Sequence, residues 1–262
     1  GDAGVGKSVI AAELVKRKRE DGSFGACYFC LQKDTLRSDP RNLIGSVAYQ
    51  LCEYIEQYRT KVGGRSRVID ILTNSALGLI ELFTKLLHEP LGKCNMHSKR
   101  MLVIIDALDE TNHESRKDFF YVLRERFPLL PKWLVFFITS RPEDTVKFNL
   151  QRYNPCIKIC AGNDQDDDYY RQHEEDIKQF LMKQVNFSKL PYTVEEVVAK
   201  CNGMFLYARY ISQELNDPTS SNEGANLDDL FPGDIEGYFL NNFDQICVKL
   251  GKDLYGKLFG DR

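Results

Sequence analysis

The sequence predicts an α/β fold in which a parallel sheet carries helices on both faces and is followed by a helical subdomain. Two continuous apolar runs, "MLVII" (101–105) and "WLVFFI" (133–138), are typical of strands buried on both faces. Segments with apolar residues at helical spacing alternate with these runs, and this alternation indicates a three-layer α/β domain. Beyond about residue 165 the pattern becomes helical throughout, which predicts the subdomain.

The remaining elements follow from local patterns. "SVIAAELVKRKRE" predicts a helix, because its apolar residues have helical spacing and its end is basic. Gly22 and Gly25 turn the chain into the strand-like run "ACYFCL". "DPRNLIGSVAYQLCEYIEQY" predicts an amphipathic helix with proline near its start, and "ALGLIELFTKLLHEPL" predicts a second helical region. "ESRKDFFYVLRERF" predicts a helix between the two apolar strands, and "CIKIC" is a short candidate strand.

Composition narrows the class of protein. The 262 residues are 43% hydrophobic and 28% charged, which indicates a globular protein. A net charge of -3 favours neither nucleic acid nor an anionic membrane as partner, and no apolar run reaches the roughly 18 residues of a membrane span. Of the eight cysteines, Cys27 and Cys30 have the spacing of half a zinc site, but they lie in the strand-like run "ACYFCL", where residues three apart point to opposite faces, and no second Cys/His pair has metal spacing. We therefore expect reduced thiols and a cytoplasmic location.

The stretch "GDAGVGKSVI" fits G-x-x-x-x-G-K-[ST], the pattern of a phosphate-binding loop. Its glycines let the backbone wrap phosphates with the N–H groups inward, and the following helix N-terminus adds positive potential. Lys7 would reach the β- and γ-phosphates, and Ser8 would offer a hydroxyl to Mg²⁺. An ordinary glycine-rich turn is the alternative. The predicted nucleotide-binding residues are Gly1, Asp2, Ala3, Gly4, Val5, Gly6, Lys7, Ser8 and Val9.

The phosphate-loop pattern stands at the very start of the sequence. Such a loop is normally entered from a buried strand, and no strand precedes Gly1. We therefore expect a fragment whose first strand, central in the sheet beside "FFITS", lies outside the sequence. Its absence predicts open sheet edges, weak nucleotide binding and self-association.

Acidic residues follow the first apolar strand. Asp106 ends it where a carboxylate would hold Mg²⁺ through water, opposite Ser8, so Ser8 and Asp106 are the predicted metal-binding residues. Asp109 and Glu110 follow in the next loop. One of them, Glu110 by preference, is the predicted base that polarises water for attack on the γ-phosphate. The alternative is that both only cap the next segment.

The second apolar strand ends in "TSRPE". Ligands of open parallel sheets bind at the carboxyl ends of the strands, so Arg141 is within reach of a γ-phosphate there. Arg141 is therefore predicted to report whether that phosphate is present. Alternatively, it pairs with Glu143 or Asp144.

Five segments together resemble the NACHT branch of the STAND-type P-loop NTPases, in the family's order and over about residues 1–215. They are "GDAGVGKS", "CYFCLQKDTLRSDPRNLIGSVAYQL", "MLVIIDALDE", "FFITSRPE" and "CNGMFLYARY". The resemblance implies a three-layer P-loop NTPase fold, and it matches Asp106 to the Mg²⁺-linked acid. It also matches Asp109 and Glu110 to the paired acids and Arg141 to the sensor arginine.

The sequence departs from the family's pattern at two points. Ala107 stands where glycine often follows the first acid, and Met204–Phe205 lack the proline of related switch ATPases. The second departure puts direct nucleotide contact from this segment in doubt, and an ordinary buried helix is the alternative. The domains implied are a nucleotide-binding core (1–162), a helical subdomain (163–216), a mobile loop (217–229) and the start of a winged-helix-like region (230–262).

The expected function is a molecular switch that binds ATP with Mg²⁺, hydrolyses it slowly to ADP and rearranges its domains. The resemblance implies self-association and protein partners through flanking domains, with repeats among them. From the net charge and the apolar runs we expect no nucleic acid partner and no membrane partner of this fragment. Two alternatives stay open, a non-hydrolysing scaffold that retains ADP and a small-molecule P-loop kinase. The kinase is disfavoured because no arginine-rich lid is found, and a GTPase because no N-K-x-D signature follows the later strands.

Overall fold

The computed structural model describes residues 3–95, 99–151, 168–217, 227–231 and 237. The chain forms two compact units, Lys7–Lys158 with Gly1, and Ile159–Arg262 with Asp2–Gly6. The candidate strand "CIKIC", most of the predicted mobile loop and nearly all of the winged-helix-like region lie outside the described residues.

Three strands in the described part of the first unit form a parallel sheet, in the order β1-β2-β3. Its strands are β1 (Phe24–Phe29), β2 (Met101–Asp106) and β3 (Leu134–Ile138). The central strand β2 pairs with β1 on one side and with β3 on the other. Both apolar strands are thus confirmed, and β1 begins two residues before the run "ACYFCL". The mixed α/β class with a parallel sheet agrees with the sequence prediction.

The helices of the first unit are α1 (Lys7–Glu20), α2 (Thr35–Ser38), α3 (Pro40–Tyr54), α4 (Glu56–Val62), α5 (Gly64–Thr73), α6 (Leu79–Phe83), α7 (Glu89–Gly92), α8 (His113–Tyr121) and α9 (Asp144–Leu150). Single π-helical turns continue α6 over Thr84–His88 and α8 over Val122–Arg126. The sequence patterns did not predict α2, α5 and α9. Each is ten residues or shorter, and helices of that length depend on tertiary contacts more than on propensity. The single helix predicted over "DPRNLIGSVAYQLCEYIEQY" is two helices, because Ile55 has an extended backbone (φ -128°, ψ 98°) that ends α3 before α4 begins.

Helix α3 supplies much of the apolar core of this unit. Asp39 caps its first turn by accepting the Arg41 N–H at 2.8 Å, and Pro40 occupies the first helical position. Its buried side chains are Leu43, Ile44, Val47, Ala48, Leu51 and Cys52. A Cβ at Gly45 would lie 2.5 Å from Leu72 Cδ2, so a larger residue there would have to displace the Leu72 side chain of α5.

The second unit is helical in its described part, as the sequence predicts. It contains α10 (Asp168–Gln184), α11 (Val194–Cys201), α12 (Phe205–Asn216) and α13 (Leu227–Leu230). Asn202 and Gly203 adopt positive φ (48° and 72°) and separate α11 from α12. Residues 227–229, which the sequence assigned to the mobile loop, begin α13, and Leu227 is buried. None of the described helices combines the length and apolar composition that a membrane span needs.

Candidate functional site

Three loops meet at the carboxyl edge of the sheet, because its strands are parallel. Backbone hydrogen bonds join them. The Cys30 N–H after β1 donates to Asp106 O at 3.0 Å, and the Leu108 N–H after β2 donates to Thr139 O at 2.9 Å. This edge brings together Ser8, Asp106, Asp109, Glu110 and Arg141.

Asp106 is the centre of the edge and is 3% exposed. Ser8 donates its hydroxyl to Asp106 Oδ2 at 2.6 Å, and Thr139 donates its hydroxyl to Oδ1 at 2.6 Å. The Thr139 hydroxyl in turn accepts the Ala107 N–H at 2.9 Å, which leaves its proton for the carboxylate. Thr139 thereby orients Asp106, a role that sequence reasoning missed, although the residue was visible as the end of β3.

The donor atoms beside Asp106 suit Mg²⁺. A serine hydroxyl and a carboxylate are hard oxygen ligands, and Mg²⁺ commonly uses one or two such groups together with water and phosphate oxygens. Within the described residues, no group of three or more His, Cys, Asp or Glu side chains forms an all-protein metal cage. Ser8 and Asp106 therefore fit a Mg²⁺ ion that arrives with a phosphate-bearing ligand.

Ala107 turns the chain sharply after β2. Its φ of 56° and ψ of 52° are left-handed, and only one other described non-glycine residue, Asn202, shares a positive φ. This backbone explains why glycine is common at the position in the resembled family, since an alanine Cβ costs about 1–2 kcal/mol there.

Ala107→Gly is expected to raise the free energy of unfolding by about 1 kcal/mol, because it removes the left-handed penalty. Urea unfolding followed by circular dichroism measures the change. Ala12→Gly, at an exposed position inside α1, is the control and is expected to lower stability by about 1 kcal/mol. Equal destabilisation by both variants would contradict the strain at Ala107.

The described part of the predicted phosphate loop has a glycine-dependent backbone. Gly4 and Gly6 have φ values of 76° and 93°, and α1 begins directly after them at Lys7. Val5 is buried, whereas Val9 is 72% exposed on α1. Gly1 and Asp2 lie outside the described residues, and Ala3 is exposed.

In the second unit, the segment that begins α12 packs on residues 4–6. The Leu206 N–H donates to Gly4 O at 3.0 Å, and a Cβ at Gly6 would lie 3.5 Å from the Phe205 ring. His173 Nε2 lies 2.8 Å from Gly203 O and supports the turn before this segment. Met204–Phe205, which depart from the family pattern, thus belong to a segment packed on the loop.

Asp109 is held more tightly than the sequence suggests. Its side chain is 4% exposed, and its Oδ1 accepts the Arg141 N–H at 2.8 Å and the Ser140 hydroxyl at 3.2 Å. The Arg141 Nε lies 3.4 Å from Oδ2. These contacts make Asp109 an anchor for the turn after β3. We therefore assign to Asp109 the positioning of Arg141, and keep Glu110 as the candidate base.

Arg141 contacts the two acids after β2. Its side chain is 55% exposed, and Nη2 lies 4.0 Å from Glu110 Oε1. The alternative partners expected from the sequence are wrong, because Glu143 pairs with Arg116 at 3.1 Å and Asp144 with Lys147 at 3.4 Å.

Arg116 is a second residue that sequence reasoning missed. Its side chain is 8% exposed, and its guanidinium donates to the carbonyl oxygens of Asp109 and Thr111 as well as to Glu143. These hydrogen bonds stabilise the loop that carries Asp109 and Glu110. No motif marks this arginine, because it lies on α8 within an ordinary charged helix pattern.

Cys30 borders the acids at the end of β1. Burial raises the pKa of its thiol to about 12, and the nearby charges of Asp106, Asp109 and Glu110 act in the same direction. The thiol is therefore protonated at neutral pH and is no nucleophile. The five cysteines in the described part of the chain are all free, as expected.

The fold and site define an α/β chain whose parallel sheet gathers a serine hydroxyl, buried and half-buried carboxylates and an arginine at one edge. Among families of known proteins, the family described as Nephrocystin 3, N-terminal, matches residues 1–141, and the chain belongs to this family. The matched range runs from the phosphate-loop pattern to Arg141. The narrower NACHT resemblance stays a prediction. No curated protein and no solved structure gives a match to the chain.

Proposed function

We propose that this chain is a nucleotide-operated switch of the NACHT type, which binds ATP with Mg²⁺ and hydrolyses it slowly to ADP. The observation that carries the proposal is the hydrogen bond of 2.6 Å that the Ser8 hydroxyl donates to Asp106 Oδ2. Two independent sequence patterns select these residues, which are 98 positions apart. Their meeting is what a shared Mg²⁺–phosphate site requires.

Phosphate binding is supported by the start of α1. The left-handed backbone at Gly4 and Gly6 leads into a helix of 14 residues, whose first N–H groups and dipole favour an anion. Lys7 opens this helix and adds a positive charge. Bound Mg²⁺ would neutralise charge on the β- and γ-phosphates, with Ser8 and Asp106 as its protein ligands, directly or through water.

Hydrolysis is assigned to Glu110 and Arg141. Glu110 accepts a proton from water as the water oxygen bonds to the γ-phosphorus. The bond from that phosphorus to the bridging oxygen breaks, and ADP leaves. Arg141 is more than half exposed and can turn to the γ-phosphate, which would release its contact with Glu110. Asp109 fixes the backbone from which Arg141 extends.

The output of the switch belongs to the same proposal. We infer that nucleotide state controls self-association and protein partners through further domains, in a cytoplasmic protein without nucleic acid or membrane partners. The packing of the α12 segment on residues 4–6 supports the inference, because a phosphate entering the loop would act on Gly4 and Gly6. Size-exclusion chromatography with ATP, ADP and no nucleotide tests it.

Lys7→Ala is expected to weaken ATP binding by at least about tenfold, because the loop loses its only lysine charge at the phosphates (about 1.4 kcal/mol). Isothermal titration with ATP and Mg²⁺ measures the dissociation constant. Lys16→Ala, on the exposed side of the same helix, is the matched control and should bind ATP as the unmodified protein does. Unchanged affinity in Lys7→Ala would contradict the phosphate site.

Turnover separates the switch from the ADP-retaining scaffold. Phosphate release is measured for the unmodified protein and for Glu110→Gln, with nucleotide affinity as the second measurement. Slow turnover that Glu110→Gln strongly lowers supports the switch. Tight ADP retention without turnover identifies the scaffold instead.

A further inference from the structure

We propose that the turn after β1 positions the candidate base, with the backbone N–H of Gln32 holding one carboxylate oxygen of Glu110. The other oxygen, Oε1, is then left to take the proton of the attacking water. This inference rests on the proposed hydrolytic function and names the group that orients its base.

The geometry of the turn makes the Gln32 N–H available. Asp34 N donates to Leu31 O at 3.0 Å and closes a four-residue turn, in which Gln32 is the second residue. That turn does not use the N–H of its second residue. The N–H instead donates to Glu110 Oε2 at 3.1 Å, across 78 positions of sequence.

Bonds on both sides fix the turn to the loop that carries the acids. The Cys30 N–H donates to Asp106 O at 3.0 Å before the turn, and the Asn112 N–H donates to Ser38 O at 2.8 Å after it. The chain beyond the turn is also tied back to β1, since the Arg37 Nε donates to Phe29 O at 3.0 Å. The N–H is thus a donor with a fixed position relative to Asp106.

This fixed donor matters because, among the residues that the structure describes, Arg141 is the other group near the Glu110 carboxylate. The Glu110 side chain is 25% exposed, and its Oε1 lies 4.0 Å from Arg141 Nη2, beyond hydrogen-bond distance. When Arg141 turns to a phosphate, the hydrogen bond from the Gln32 N–H keeps the Glu110 carboxylate in its orientation. Displacing a general base by about 1 Å lowers the rate of the reaction on the order of a hundredfold.

Gln32→Pro removes the N–H without disturbing the turn. Proline is favoured at the second position of the common turns, and Gln32 has negative φ, since Ala107 and Asn202 are the described non-glycine residues with positive φ. We expect kcat for ATP hydrolysis to fall about tenfold or more, with little change in the dissociation constant of ATP. Gln32→Ala keeps the N–H and should exceed Gln32→Pro in kcat by about tenfold.

Ser75→Pro is the matched control. Ser75 is the second residue of another exposed turn, closed by the Leu77 N–H and Asn74 O at 3.2 Å, and lies outside the candidate site. It should turn over ATP as the unmodified protein does. Equal kcat in Gln32→Pro and Gln32→Ala would overturn the proposal.

A double-mutant cycle shows whether Gln32 acts through Glu110. In the Glu110→Gln background, Gln32→Pro should cause no further loss of turnover, because the base is already absent. A further tenfold loss there would overturn the proposal. If Glu110→Gln alone leaves turnover unchanged, the assignment of the base fails, which is a failure of the proposed function.

A spectroscopic measurement tests the contact without relying on activity or on the proline variant. The amide proton of Gln32 donates to a charged acceptor, so its NMR resonance should move upfield in Glu110→Ala. Asp70→Ala, which removes an exposed acid on α5 outside this contact, should leave the resonance in place. An unmoved Gln32 resonance in Glu110→Ala would overturn the proposal.

Discussion

Asp106→Asn is expected to weaken binding of ATP in the presence of Mg²⁺ by at least about tenfold, or about 1.4 kcal/mol. The amide has the size of the carboxylate, so its oxygen can still accept the Thr139 hydroxyl and its NH₂ can face Ser8 Oγ. The variant therefore keeps the packing at the end of β2 and loses the charge that would face the proposed Mg²⁺. Titrating the protein with ATP, once in the presence of Mg²⁺ and once in EDTA, measures the affinity for ATP with and without the cation.

The Mg²⁺ dependence distinguishes this effect from a general loss of binding. The affinity of Asp106→Asn for ATP in EDTA should be close to that of the unmodified protein. The ratio of its ATP affinity with Mg²⁺ to its ATP affinity in EDTA should therefore fall toward one. Asp118→Asn, an exposed acid on α8, is the control and should retain the full ratio. A variant at Asp106 that keeps the Mg²⁺ dependence would contradict the metal assignment.

Asp109→Ala is expected to lower the free energy of unfolding by about 2 kcal/mol. It leaves the Arg141 N–H and the Ser140 hydroxyl without their acceptor, whereas the Arg141 guanidinium is exposed and can be hydrated. Asp109→Asn keeps an oxygen for that N–H and is expected to cost about half as much. Urea unfolding measures both values.

Asp144→Ala is the control for this comparison. Asp144 pairs with Lys147 at 3.4 Å while fully exposed, and such surface pairs contribute about 0–1 kcal/mol. If Asp109→Ala were as mild as Asp144→Ala, Asp109 would not anchor the turn after β3.

The sequence predicted those elements in which the local signals all indicate the same secondary structure. The run before Asp106 is apolar at every position and only five residues long, which favours a strand covered on both faces, and it forms the centre of the sheet. Helix α3 was predictable because Asp39, Pro40 and its apolar spacing all indicate the same start and the same buried face.

Other elements have weak local patterns. Helices α4 and α5 meet at Gly63 and Gly64, both with positive φ, and two adjacent glycines do not predict helix on either side. Hydrogen bonds with α3 hold both helices, since the Arg59 Nε of α4 donates to Cys52 O of α3 and the Arg41 guanidinium of α3 donates to the carbonyl oxygens of Leu72 and Asn74 at the end of α5. Those bonds exist only once α3 has packed.

In the candidate site, too, the sequence predicted some features and only the tertiary structure decided others. Ser8, Asp106, Glu110 and Arg141 could be named from sequence, because each stands at a strand end or in a loop of fixed pattern, and parallel strands end at one edge. Which of them contact one another was decided by the tertiary structure. Asp109 turned inward to a backbone N–H, and a turn 78 positions before Glu110 supplied its hydrogen bond. Such partners are backbone atoms, which every residue carries, so no sequence pattern distinguishes them until the chain has folded.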